Sequence, residues 1–139
     1  MGQEAGKRTF VGYHGTSILA VPSLFRGIAP PDEGNFGARR QLGVGFYTTV
    51  DFPAAVEFAE AAVESAGGYP SVVAVYVYDF ARLIGREVPE TSWWHIADDS
   101  PYIAEFDFLT AATFGYPAMR QLKFNPRAYG ALTVEIPQW

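Results

Sequence analysis

The sequence predicts an α+β fold, with two antiparallel β-sheets packed face to face and flanked by short helices. Three observations carry this reading. The stretch from Leu42 to Ala59, LGVGFYTTVDFPAAVEFA, passes from a β-like pattern directly into a helical one. The stretch from Ser71 to Phe80, SVVAVYVYDF, is a near-continuous apolar run rich in valine, the pattern of a strand covered on both faces. From Tyr102 onward the chain falls into short strand-like pieces separated by turn residues.

Taken in order, Thr9 to Ser17, TFVGYHGTS, reads as a first strand ending in a Gly-Thr turn. Ile18 to Phe25 suits a short helix capped by Ser17, and Pro22 limits its length. Gly27 to Gln41 is rich in Gly, Pro, Asp and Arg and reads as a lid-like loop. Its Arg39 and Arg40 are either solvated or set to meet a phosphate. Next, Val44, Phe46 and Val50 give strand character, Asp51 offers an N-cap, and Pro53 suits a first helical turn. Ala55, Phe58, Ala59, Ala62 and Val63 then share one helical face. Tyr47 therefore ends a strand while Phe58 stands two turns into the following helix. Such a pair can hold a flat ring between them, although most aromatics on an apolar stripe are simply core.

Gly67-Gly68-Tyr69-Pro70 breaks the chain before the valine-rich strand. Ala81 to Ser100 is mixed, with Trp93, Trp94 and His95 beside Asp98 and Asp99; these read as surface packing. Tyr102 to Ala111, YIAEFDFLTA, alternates as a strand does, and Thr113 to Met119 reads as a Gly/Pro loop. Gln121 to Phe124, QLKF, begins another strand, Asn125-Pro126 turns the chain, and Ala131 to Ile136 makes the last strand.

Composition narrows the function. The 139 residues suit one domain spanning 1–139, with 1–8 as a flexible start. Apolar residues make up 49% and charged residues 18%, enough to build a core. A net charge of −5 argues against a general nucleic-acid binder, which needs a basic face. The absence of cysteine excludes thiolate catalysis, disulfides and cysteine metal sites. Two histidines far apart make a metal site a poor expectation. No apolar run is long enough to span a bilayer and MGQEAGKR is not a signal peptide, so a soluble chain without a membrane partner is expected.

Three features together point to a family. Phe10 to Thr16, FVGYHGT, is followed about thirty residues later by GFYTT and an alanine-rich helix, and then by strands ending in a Glu or Gln position. This resembles the ADP-ribosyltransferase fold of the diphtheria-toxin and exotoxin A group, and short bacterial and fungal relatives with a late glutamine motif. In that group a YHGT strand and a GFY strand line an NAD pocket. The resemblance implies NAD as co-substrate. It implies that Tyr47 and Phe58 hold the nicotinamide ring, Gly15 bonds its carboxamide, His14 bonds a ribose hydroxyl, and Thr16 adds a supporting hydroxyl. It further implies transfer of ADP-ribose to a macromolecular acceptor, protein or nucleic acid, by a toxin or effector domain. Such a domain would be secreted or injected into a target cytoplasm and controlled by an inhibitory partner protein. An NAD glycohydrolase and a catalytically silent NAD-binding module are the alternatives. The family's catalytic glutamate begins a late strand, and here two residues compete for it. Glu105 has the charge; Gln121 has the better topological place but no charge. Glu135, on the last strand, is a poorer third candidate.

Overall fold

The computed structural model describes residues 7–28, 42–43, 45–89, 96, 100–113 and 116–137, with 113 and 116–119 described by backbone alone. The sequence-based readings of Arg39 and Arg40, of most of the Gly27–Gln41 loop, and of Trp93, Trp94, His95, Asp98 and Asp99 lie outside these residues.

Strand β1 (Arg8–Ser17) leads through a 3-10 turn (Ile18–Ala20) into helix α1 (Val21–Arg26). The Ser17 side chain accepts from the Leu19 N–H, and Pro22 occupies the first turn of α1, where its missing N–H costs nothing. Strand β2 (Phe46–Thr49) is followed at once by α2 (Phe52–Ala66). Asp51 caps α2 by accepting from the Ala54 N–H at 2.9 Å. Strand β3 (Pro70–Tyr78), a 3-10 turn (Phe80–Arg82) and the three-residue strand β4 (Gly85–Glu87) come next. Helix α3 (Pro101–Ala104), strands β5 (Phe108–Thr113) and β6 (Tyr116–Phe124), a 3-10 segment (Pro126–Ala131) and strand β7 (Leu132–Glu135) complete the described chain. No helix among the described residues is long and apolar enough to cross a membrane.

The strands form one seven-stranded mixed sheet in the order β4-β5-β6-β2-β1-β3-β7, rather than two separate antiparallel sheets. The physical reason is a single link. β1 and β2 pair only at Tyr13–Thr49, and that pairing joins a β1-β3-β7 half to a β2-β6-β5-β4 half. One pair, β4 with β5, is parallel. Both halves feed one core, in which Val73, Val75 and Val77 of β3 meet Phe46 of β2 and Phe124 of β6. A second cluster on the other face gathers Leu42, Val88, Leu109 and Ala111, with Tyr47 and Tyr102 packed against it.

Two further readings are corrected. Tyr102 to Ala111 is not one strand. Ser100 accepts from the Tyr102 N–H and Pro101 opens a helical turn, so α3 takes the first residues and β5 starts only at Phe108. Of the Thr113–Met119 segment, Thr113 belongs to β5 and Tyr116–Met119 to β6 rather than to a loop, and the two strands pair antiparallel. Their register jumps between Ala112–Arg120 and Thr113–Tyr116, and the unpaired residues include Pro117, which has no N–H to donate to a ladder.

Helix α2 lies on β1 and β3 with Ala55, Ala59 and Ala62 buried beneath it. Its approach is close enough to dictate glycine at position 15. A β-carbon on Gly15 would overlap the Ala55 carbonyl and come within 2.7 Å of the Ala59 nitrogen. Gly15→Ala is therefore expected to destabilise by about 1–3 kcal/mol or more, since helix backbone cannot yield as a side chain can. Urea unfolding checks this; an unchanged midpoint would mean the helix sits further from the strand.

Candidate functional site

The single pairing between β1 and β2 creates the feature that matters. Beyond Tyr13–Thr49, residues 14–17 of β1 continue to pair with β3, and 46–48 of β2 continue to pair with β6, but not with each other. The two strands part, and both motif segments, YHGT and GFYTT, border the gap. Along a strand, successive N–H and C=O groups point alternately to either side. Alternate backbone groups of residues 14–17 are therefore aimed into the gap, Gly15 standing among these residues.

His14 closes part of this space. Its ring is buried, 5% exposed, and its Nδ1 lies 2.7 Å from the Tyr47 carbonyl across the gap. A carbonyl only accepts, so Nδ1 carries the hydrogen in this contact. The imidazole also stacks on Phe46, with centroids 4.0 Å apart and planes 24° from parallel. His14 and Tyr47 thus meet where β1 and β2 separate, although their side chains leave on opposite faces of the sheet. The face assignment follows from register. Tyr13, Thr49, Gln121 and Ala111 form one cross-strand row on the α2 face, and Tyr47 and Gly15 stand two residues from members of that row. His14, Thr16, Phe46 and Thr48 occupy the other face. Thr16 is buried there opposite Ser71.

Phe58 is half-buried on α2. Phe52 and Val56, on one flank of the helix, line a hollow over Ser71 and Val72 of β3. At 100° per residue Phe58 falls with Ala54 on the opposite flank, the side toward β2. Tyr47 and Phe58 therefore share a face of the sheet, Phe58 on the helix flank toward β2. The Tyr47 hydroxyl donates to the Gly43 carbonyl at 2.5 Å and accepts from the Leu42 N–H at 3.0 Å.

The two candidates for the late acidic position separate clearly. Gln121 is on β6, 6% exposed, and stands directly beside Thr49 in the row that reaches Tyr13. Its Nε2 makes only a long contact, 3.5 Å, with the Ala112 carbonyl. Glu105 is not on a strand. It is the exposed C-cap of α3, beyond the Phe108–Phe124 end of the ladder, an end that itself lies three β6 positions, about 10 Å, from Gln121. The residue preceding Gln121, Arg120, pairs with Glu87 on the edge strand. That contact, then the Thr110 hydroxyl, holds the Glu87 carboxyl below its usual range.

Sequence reasoning missed two supports of the site. Lys123 is fully buried on the Tyr47 side of β6, and its Nζ donates to Asn125 Oδ1 at 2.5 Å. Asn125 in turn donates to the carbonyls of Tyr102 and Phe106 at 3.0 and 2.7 Å, tying α3 to β6. The NP turn signal found Asn125 but not its partners. The backbone of 42–43, holding the Tyr47 hydroxyl, was also unforeseen; the glycines of LGVGF were its only trace. Among the described residues no group of three His, Asp or Glu side chains is placed to hold a metal. No family model matches the chain, and no curated protein matches it.

Proposed function

We propose that the β1/β2 gap binds NAD and that the chain is an ADP-ribosyltransferase, acting as a toxin or effector on a macromolecular acceptor. The observation that best supports this is the His14–Tyr47 bond. It draws together two motifs 33 residues apart, where β1 and β2 part beyond Tyr13–Thr49. In this reading the nicotinamide lies between Tyr47 and Phe58 on the α2 face, where stacking and cation–π attraction favour a flat cation. His14 bonds a ribose hydroxyl of the adenosine half. Backbone groups of Gly15 bond the carboxamide, and Thr16, within β1 rather than in a Gly-Thr turn, adds a supporting hydroxyl.

Cleavage breaks the bond between the ribose C1 and the ring nitrogen. The bonding pair leaves with nicotinamide, which becomes neutral, and the sugar passes through an oxocarbenium-like state. An acceptor nucleophile then bonds C1 and gives up its proton. In this reading Gln121 holds the ribose 2-hydroxyl. Its carboxamide accepts and donates hydrogen bonds but contributes no negative charge to the cationic sugar.

That neutrality favours a second reading, a binding module of the same fold with little or no turnover. Hydrolysis with water as acceptor is the third. Incubating the protein with NAD and measuring free nicotinamide separates them, because release requires chemistry. Label from NAD appearing on protein or nucleic acid in a lysate then selects transfer over hydrolysis. Gln121→Ala is expected to lower nicotinamide release by about a hundredfold, the scale of one lost transition-state contact, whereas Glu105→Gln leaves it unchanged. The reverse result would return the role to Glu105. Absence of release from the wild-type chain, with NAD still bound, leaves the binding module.

A further inference from the structure

We infer that Gly43 is a positioning residue for the Tyr47 ring, acting through the phenol hydroxyl, and that this anchor sets the affinity of the gap for NAD. The inference rests on the functional reading above. Tyr47 Oη donates to one backbone group and accepts from its neighbour, Gly43 C=O and Leu42 N–H. Two bonds of opposite sense fix both the oxygen and the direction of its hydrogen. The ring is thus tied at its far end to the 42–43 backbone and at its near end to β2, whose ladder with β6 includes Tyr47–Lys123. It cannot swing about its side-chain torsions without breaking both bonds.

The anchor is itself wedged. Gly43 has φ +79°, in the left-handed region, and a β-carbon there would fall 2.9 Å from Ile103 Cδ1 and 3.1 Å from Ile96 Cγ2. Any side chain at 43 is strained by its backbone and by α3, and relief moves the carbonyl off the hydroxyl. Leu42, fully buried, holds the other side of the tie. A wall fixed before the ligand arrives loses little rotamer freedom on binding, which is how such a tie raises affinity without touching the ligand.

Tyr47→Phe keeps the ring and deletes the hydroxyl; Gly43→Ala displaces the acceptor. The first measurement needs no ligand: hydrogen exchange of the Leu42 amide. It is expected to quicken about tenfold in Tyr47→Phe, on the scale of one net hydrogen bond. The second is NAD affinity by calorimetry. Tyr47→Phe should bind about tenfold more weakly, and Gly43→Ala should weaken binding only while the hydroxyl is present. Equal losses from Gly43→Ala in the wild-type and Tyr47→Phe backgrounds would mark a merely structural glycine and overturn the inference. So would unchanged Leu42 exchange. If Gly43→Ala does not fold, the two Tyr47→Phe readouts decide. A wild-type chain that fails to bind NAD overturns the functional reading and the affinity half of the inference together. Failure of the anchor alone shows instead as Leu42 exchange that Tyr47→Phe does not change, in a chain that still binds NAD.

Discussion

Phe46→Ala is expected to cost about 3–5 kcal/mol of folding stability, the range for truncating a buried aromatic. Total stabilities of such domains are about 5–15 kcal/mol, so this one change can bring the chain near its unfolding threshold. The size follows from where the ring sits. Phe46 is fully buried and belongs to the core that both halves of the sheet share, opposite Phe124 on β6 and in one cluster with Val73 and Val75 on β3. It also forms the floor on which His14 stacks. β1 and β2 pair at one position only, so this ring and the His14–Tyr47 bond are ties between the two strands beyond Tyr13–Thr49. Phe46→Leu, which keeps most of the volume, should cost far less. Urea unfolding of both variants checks this. A loss below about 1 kcal/mol for Phe46→Ala would mean that the halves are held together mainly elsewhere.

The parts of this arrangement that were legible in the sequence are local. Asp51 and Pro53 mark the start of α2 because capping and first-turn preferences act within a few residues. Ser17 marks the turn after β1 for the same reason, and the valine run marks β3 because burial on two faces needs apolar residues throughout. The parts that were not legible depend on distant partners. A three-residue parallel strand such as β4 has no pattern of its own; it exists because β5 is there to pair with it. The alternation of YIAEFDF imitated a strand, and the Ser100-Pro101 cap outweighed it. Whether strands form one sheet or two turned on Tyr13–Thr49, a pairing no periodicity encodes.

The candidate site divides in the same way. GFYTT and YHGT were visible as residue types, but that His14 Nδ1 meets the Tyr47 carbonyl is a fact of topology. The resemblance gives Gly15 a backbone bond to a ligand, yet its missing side chain is required by α2, while its backbone groups remain in the plane of the sheet. Glu105 had the right chemistry and a strand-like neighbourhood; its exposure at the end of α3 comes from a cap two elements away from the gap. Gln121 had only its position, and that position is beside β2.

Tyr47→Ala is expected to weaken NAD binding by about 1–3 kcal/mol, roughly 5- to 150-fold, the combined scale of cation–π contact and apolar burial. Three features set this size. The ring is half-buried against Leu42 and Leu109, so its removal leaves a cleft open on one side rather than a closed cavity. Its backbone stays in the β2–β6 ladder, so the strand itself should persist. The carbonyl that His14 bonds belongs to the main chain and survives the change, which confines the damage to the ring. Phe58→Ala should give a smaller loss of the same kind, because Phe58 is half-buried on the helix flank toward β2. If both rings grip one nicotinamide, the double variant should lose less than the sum of the single losses, since each wall works only with the other present. Calorimetry with NAD, and with nicotinamide alone, reads all three. Near-ultraviolet circular dichroism shows whether the variants are folded. Unchanged affinity in a folded Tyr47→Ala protein would remove the aromatic slot, and with it the reason for placing nicotinamide on this face of the sheet.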